Sequence, residues 1–78
     1  MYNETMVNLN KQFQIFIGRK IRVEREKMGV SQEELGKLAK VHRTYVGMVE
    51  RGEKNITIQN LRKFAIALGV QVRDLVDF

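Results

Sequence analysis

The chain has 78 residues, enough for one small domain and too few for two. Fourteen lysines and arginines against nine aspartates and glutamates give a net charge of +5. Such an excess favours an anionic partner, nucleic acid first and an acidic membrane surface second, although it also suits simple solubility. With no cysteine and one histidine, disulfides and thiolate metal sites are excluded, and we expect no metal or cofactor. No apolar run approaches the roughly 20 residues of a membrane span and no signal peptide is visible, so we expect a cytoplasmic protein without a membrane partner.

Apolar residues recur at helical spacing, which predicts an all-α chain of five helices with short connections. Residues 1–8 are polar and aperiodic and are predicted to be a flexible N-terminal arm, which leaves 9–78 as the single domain. The first helix is long, begins near Leu9 and ends at Gly29 in a left-handed cap. Its inward stripe is predicted to be Leu9, Phe13, Phe16 or Ile17, Ile21 and Met28.

Four shorter helices are predicted to follow. The second begins at Ser31, because Ser31-Gln-Glu-Glu34 has the pattern of a capping box, in which serine and glutamate each bond the other's backbone amide. Leu35 and Leu38 of this helix are expected to face inward. The third helix is predicted at about residues 43–50, and the fifth covers 72–76. The fourth begins at Thr57, ends at Gly69 and has the inward stripe Ile58, Leu61, Phe64 or Ala65, and Leu68.

The second and third helices are joined by so few residues that they must cross steeply, which requires a small residue where they touch. Gly36 meets this requirement, and Val41 and Val46 fill the angle between the helices. One face of the third helix is then free to protrude and fits a major groove about 12 Å wide. We therefore predict a helix-turn-helix from Gln32 to Arg51 that binds duplex DNA.

About 100° of rotation per residue decides which side chains of the third helix protrude, once its valines 46 and 49 point inward. Arg43 can bind O6 and N7 of a guanine, and a methyl group of Thr44 or Met48 can pack on that of a thymine. Gly47 costs about 1 kcal/mol of helix propensity against alanine, which is understandable if a neighbouring molecule approaches the backbone. The predicted base-reading residues are Arg43, Thr44, Gly47 and Met48.

Residues on either side of this face are predicted to bind phosphates. A helix N-terminus, as at Ser31, favours anions through its free amides and dipole. Tyr45 is expected to pack at the edge of the core while its hydroxyl reaches a phosphate, and His42 is a helix cap or a phosphate neighbour. The alternative is that the basic residues form an ordinary solvated surface. The predicted phosphate-binding residues are Ser31, Gln32, Tyr45, Arg51, Lys54 and Asn55.

The run from about Ile21 to Leu75 resembles the Cro and phage-repressor (XRE-type) helix-turn-helix family, through GVSQEELGKLAKV, RTYVGMVERGEKNIT and LRKFAIALGV. The resemblance implies the five-helix phage-repressor-like DNA-binding fold and a buried ion pair between Arg25 and Glu50. It also implies base-facing positions for Arg43, Thr44 and Met48, and phosphate-facing positions for Ser31, Gln32, Arg51 and Asn55.

Two residues depart from the family. Lys40 stands where the family usually has glycine, so we expect a lysine with positive φ, at a cost of about 1 kcal/mol or more. Gly36 replaces the usual alanine and is expected to loosen the second helix. Within the family, Arg-Thr-Tyr followed by ERGEKNIT resembles the controller proteins of restriction–modification systems, which are dimers that activate and repress their own operon. Phage repressors and antitoxins share most of this pattern, so a repressor or a partner-binding antitoxin is the alternative.

The end of the chain is more apolar than a short helix needs for its own packing. One interpretation is closure of the core, and the other is a two-fold homodimer interface. A dimer would place two recognition helices about 34 Å apart on a near-palindromic site. We expect no small-molecule effector and no catalysis, since the sequence lacks paired carboxylates, a Gly-rich phosphate loop and a nucleophile with a base. The candidate interface residues are Ile66, Leu68, Val70, Val72, Val76 and Phe78.

Overall fold

The structure, a computed structural model, describes residues 4–77, with side-chain surroundings from residue 10 onward. That range contains five α-helices, which confirms the predicted all-α fold. None of them is both long and apolar enough to cross a membrane. Their bounds are α1 Glu4–Met28, α2 Gln32–Ala39, α3 Arg43–Glu50, α4 Ile58–Leu68 and α5 Val72–Val76.

The first helix begins five residues earlier than its apolar stripe predicts. It starts at Glu4, so residues 4–8 of the predicted arm are helical. Neither proline nor glycine interrupts residues 4–17, so no strong helix breaker stands in this stretch. The rest of the predicted arm, 1–3, lies outside the described residues. At the other end, Gly29 has φ +75° and ends α1 in the predicted left-handed conformation.

All five helices contribute to one core. Three of the predicted inward positions on α1 and α4 are wrong, because Phe13, Met28 and Ile58 are largely exposed. Phe13 and Ile58 line a cavity at the protein surface. Of the two residues offered as alternatives for one inward position, Ile17 is buried and Phe16 is exposed. The fully buried large side chains are Ile21, Leu35, Val46, Val49, Phe64 and Leu75.

Leu38 is also exposed, at 53%, and not inward as predicted. The buried arc of α2 is centred on Leu35, Gly36 and Ala39, and Leu38 falls at its edge. Beside it lies Ile66 of α4, which is 70% exposed. Helical periodicity predicted the buried side of these helices correctly, but it also assigned to that side residues at its edge that are exposed.

The candidate interface set does not form a single surface. Leu68 is 6% exposed and belongs to the core, so its assignment to an interface is wrong. Val70, Val72 and Val76 are half-buried and pack on the core, and Ile66 projects elsewhere, beside Leu38. Phe78 lies outside the described residues. Leu68 lies on the buried side of α4, the helix that contacts α1, α2 and α5.

Candidate DNA interface

The turn between α2 and α3 has the geometry expected of a helix-turn-helix. Lys40 has φ 60° and ψ 43°, which confirms the predicted left-handed lysine. The N–H of Val41 then donates to the carbonyl oxygen of Gly36 at 2.9 Å. A Cβ added to Gly36 would lie 2.7 Å from the carbonyl oxygen of Val41. The prediction of a small residue at the crossing is confirmed, and in this chain even alanine would require the backbone to shift.

Both helices of the motif begin at side-chain caps. The Oγ of Ser31 accepts from the N–H of Glu34 at 3.0 Å, and the Glu34 carboxylate accepts from the N–H of Ser31 at 2.9 Å. Hydrogen bonds to the Glu34 carboxylate, from the Ser31 backbone N–H first and from the Ser31 side chain second, lower the pKa of Glu34. At α3, Nδ1 of His42 accepts from the N–H of Thr44 at 3.0 Å. The capping box and the capping role of His42 are thus confirmed.

The predicted buried ion pair is present and has a third member. Nε and Nη2 of Arg25 donate to the two carboxylate oxygens of Glu50 at 2.6 and 3.0 Å. Nη1 of Arg25 also donates to the carbonyl oxygen of Val30. Nε2 of Gln32 donates to Oε1 of Glu50 at 3.0 Å. The hydrogen bond to Glu50 raises the pKa of Arg25 against the opposing effect of burial. This network joins the last turn of α3 to α1 and to the start of α2.

The outer face of α3 largely matches the sequence prediction. Val46 and Val49 are buried, Arg43 and Thr44 are exposed, and Met48 is half-buried. This orientation is set by the two valines, since a helix with both in the core can present only the opposite arc to solvent.

Gly47 differs from its neighbours on this face because it is buried, and what approaches its backbone closely is the protein itself. A Cβ at Gly47 would lie 3.0 Å from Nη1 of Arg51 and 3.4 Å from Oε1 of Gln32. Two long side chains from neighbouring segments therefore lie over its backbone. Helical spacing correctly places Gly47 on the side of α3 opposite its valines, but it cannot predict that the side chains of Arg51 and Gln32 extend over it.

The two arginines at the ends of α3 are exposed, and each faces a carboxylate of the protein. Nη1 of Arg43 lies 3.7 Å from a carboxylate oxygen of Glu33. Arg51 donates from Nε and Nη2 to both carboxylate oxygens of Glu53, at 2.9 and 3.2 Å. This pairing raises the pKa of Arg51 and lowers that of Glu53. Both arginines are therefore available to an anion that can displace a carboxylate.

The other predicted phosphate contacts have different surroundings. The Tyr45 ring stacks on Phe64 with centroids 6.2 Å apart, which confirms that it packs at the edge of the core. Its hydroxyl accepts from Nδ2 of Asn60 at 3.0 Å, so it is engaged with α4 in the free protein. Lys54 and Asn55 are exposed after α3, and Asn55 lines the cavity between α1 and α4.

Three residues place the end of α3 through contacts with α1 that the sequence does not predict. A Cβ at Gly18 would lie 2.8 Å from the carbonyl oxygen of Glu50, so α1 and α3 touch backbone to backbone. At Gly52, which has φ +74°, a Cβ would lie 2.9 Å from Cα of Ile15. Nζ of Lys11 donates to the carbonyl oxygen of Gly52 at 2.9 Å. A glycine inside a helix is a weak signal of such contact, and Gly18 carries that signal.

Comparison with known proteins supports this geometry. The family model described as Helix-turn-helix matches residues 21–75, the range of the predicted resemblance. The chain is 38% identical over 71 residues to the control protein C.BamHI of Bacillus amyloliquefaciens, covering 90% of this chain and 88% of that protein. It is 38% identical over 60 residues to the control protein C.SmaI of Serratia marcescens, covering 77% and 71%.

Two solved structures are similar in fold. The restriction-modification controller protein C.AhdI from Aeromonas hydrophila has a TM-score of 0.78 and 40% identity, covering 80% of this chain and 94% of that one. The P22 c2 repressor, in complex with a synthetic operator, has a TM-score of 0.75 and 29% identity, covering 80% and 94%. The resemblance to XRE-type regulators and to controller proteins is confirmed.

Proposed function

The chain belongs to the helix-turn-helix family of transcription regulators, and from this membership we propose that it binds a near-palindromic operator as a homodimer and controls the genes of a restriction–modification system. The relatives named as control proteins support the second half of the proposal, since two of them match over most of their own length. A phage-type repressor is the second candidate, favoured by the similarity to the P22 c2 repressor, at lower identity.

The observation that carries the proposal is the rigid mounting of α3. Val46 and Val49 lie in the core, and Glu50 is held by Arg25, so the helix cannot rotate or slide independently. A fixed helix with an exposed polar face can enter a major groove as a unit. Arg43 and Thr44 lead this face.

Roles within the interface follow from position. Arg43, Thr44 and Met48 are the proposed base contacts, whereas Gly47 contributes by leaving room for the side chains that cover it. Gln32 can contact DNA through the second N–H of its side-chain amide while the first stays on Glu50, or through a backbone amide. The proposed phosphate contacts are Ser31, Gln32, Tyr45, Arg51, Lys54 and Asn55.

Among the apolar surfaces of the described residues, two include a highly exposed isoleucine of α4 and are candidates for the dimer contact. The larger one surrounds a cavity of about 370 Å³ and includes Phe13, Ile58 and Val76. The smaller one is formed by Leu38 and Ile66 and is flanked by lysines. We assign the dimer contact to the larger surface, because more apolar side chains meet there and Val76 belongs to the candidate set.

One experiment tests DNA recognition. Duplexes selected from a random pool by the full chain should converge on a near-palindrome whose half-sites are about one helical turn apart. A pool that shows no enrichment after repeated rounds would overturn sequence-specific binding. The position of the selected sequence beside methyltransferase and endonuclease genes would separate a controller from a phage repressor.

A second experiment tests the dimer. Sedimentation at micromolar concentration should give a dimer for the wild type and for Ile66→Glu, and a monomer for Ile58→Glu. Both changes place a carboxylate at a highly exposed isoleucine of α4, so they are matched. A monomeric Ile66→Glu with a dimeric Ile58→Glu would move the interface to the other surface. A wild-type protein that stays monomeric in the presence of its selected duplex would overturn the proposed dimer.

A further inference from the structure

Arg51 after α3 and Lys11 of α1 bond two neighbouring groups of the same turn, the Glu53 carboxylate and the Gly52 carbonyl. Arg51 holds the carboxylate through two hydrogen bonds of 2.9 and 3.2 Å. Lys11 bonds the carbonyl oxygen of the preceding residue, Gly52, at 2.9 Å, although 41 residues separate the two in sequence. The positive charge of Lys11 also helps to lower the pKa of Glu53, after the hydrogen bond from Arg51. Two cations from distant parts of the chain therefore bind adjacent residues of one turn.

The position of Lys11 is set by the packing of backbones. The turn at Gly52 lies against Ile15, where a Cβ on the glycine would be 2.9 Å from Cα of Ile15. Lys11 is one helical turn before Ile15 and shares its face of α1. The lysine therefore lies beside this turn as a consequence of the helix contact itself.

The guanidinium of Arg51 lies on the recognition side of the molecule. Its Nη1 is 3.0 Å from the position of a Cβ on Gly47, which belongs to α3. Glycine at this position leaves the room in which the guanidinium lies against the helix. An anion bound there would be adjacent to the face that carries Thr44 and Met48.

We propose that Lys11 and Arg51 bind one DNA phosphate together, and that Glu53 occupies the place of that phosphate in the unbound protein. This inference rests on the proposed function and adds a phosphate ligand and a competing residue to it. A guanidinium bonds a carboxylate and a phosphate in the same two-point geometry, so the two anions are interchangeable at Arg51. Binding of a duplex then replaces the Glu53 carboxylate with a phosphate as the partner of Arg51. Because the Arg51–Glu53 pair must break first, Glu53 lowers the affinity of the protein for every duplex.

Lys11 is tested through salt dependence, measured by fluorescence anisotropy on a labelled mixed-sequence duplex. Each phosphate contact contributes about 0.9 to the slope of log K against log salt concentration. Lys11→Gln should lower this slope, but by less than the roughly 0.9 of a whole phosphate contact, because Arg51 still binds the same phosphate. Lys11→Arg should keep the wild-type slope. The matched control is Lys63→Gln, which removes the same charge from an exposed position on α4. Equal slopes for Lys11→Gln and Lys63→Gln would overturn the role of Lys11.

Glu53 is tested on the same duplex. Glu53→Gln should bind about two- to fivefold more tightly than Glu26→Gln, the range expected for an exposed pair. Glu26 is a suitable control because it pairs with Arg22 on α1 and its replacement changes the net charge equally. Equal affinity of the two variants would overturn the competing role, with circular dichroism melting used to verify that each is folded. A wild type that binds no duplex overturns the proposed function as well, whereas a binding wild type with unaltered variants overturns this inference alone.

Discussion

The Glu50 carboxylate accepts two hydrogen bonds from the guanidinium of Arg25, at 2.6 and 3.0 Å, and so ties the end of the recognition helix to α1. The Glu50 side chain is 3% exposed. A carboxylate at such depth is tolerable only with its partner in place, since burial of an unpaired charge is strongly unfavourable.

Arg25→Ala should therefore lower the free energy of unfolding by about 3–5 kcal/mol, because Glu50 would remain buried without a counter-ion. Urea denaturation at neutral pH measures the loss. Arg22→Ala, which breaks an exposed pair on the same helix, should cost no more than about 1 kcal/mol. Similar losses for the two variants would show that the pair is not effectively buried.

Gly36→Ala should destabilise the protein by about 1–3 kcal/mol, although alanine is the better helix former. The added methyl group would lie 2.7 Å from the carbonyl oxygen of Val41, and a backbone atom cannot move aside cheaply. Gly47→Ala is the comparison, since its methyl group meets only the flexible ends of Arg51 and Gln32. It should leave the thermal midpoint nearly unchanged or raise it. A stable Gly36→Ala protein would mean that the two helices can separate slightly.

Lys40→Gly should stabilise the protein by about 0.5–1 kcal/mol, because lysine has φ 60° and glycine adopts this conformation without a steric penalty. Lys37→Gly, which removes the same charge from the helical part of α2, should instead cost about 1 kcal/mol. Paired urea titrations measure both. A loss of stability on Lys40→Gly would indicate that the lysine side chain contributes more than its backbone strain costs.

Arg43→Ala and Arg51→Ala should affect DNA binding differently. Loss of a base contact at Arg43 should cost about 1–3 kcal/mol on the selected operator and relax the preference at one base position. Arg51→Ala should weaken selected and mixed-sequence duplexes by the same factor, since a phosphate contact carries no sequence information. Competition binding with single-base variants of the operator measures both. Equal losses of affinity for all duplexes on Arg43→Ala would show that Arg43 contacts the DNA backbone and not a base.

Stability at acid pH should depend on the capping carboxylate of Glu34. Its pKa is lowered in the folded state, so its contribution is fully present above the unfolded pKa of about 4.3 and is lost as the pH falls through the folded value. Glu34→Gln should therefore reduce the free energy of unfolding near neutral pH, with a difference from wild type that narrows on acidification. Urea denaturation at several pH values measures this difference. A difference that stays constant with pH would show that the effect is not due to the charge.

The order and ends of the helices could be predicted because the signals are local. Ser31 with Glu34 begins α2, Thr57 caps α4 by accepting from the N–H of Asn60 at 3.1 Å, and Gly69 ends it at φ +70°. These contacts join residues a few positions apart, so they follow from the sequence alone. The Arg25–Glu50 pair became predictable only through the family resemblance, since no local rule links residues 25 positions apart.

Only the tertiary structure decides which outward-facing positions are exposed to solvent and which apolar residues are buried. Helical period gives the direction of a side chain but not how far the neighbouring element extends, so Leu38 and Ile58 are exposed although both were predicted to face inward. For the same reason Gly47 lies beneath Arg51 and Gln32, and Lys11 lies beside Gly52. The recognition helix could thus be identified from sequence, whereas the side chains that cover it, and those that pair with its proposed phosphate ligands, depend on contacts between distant segments.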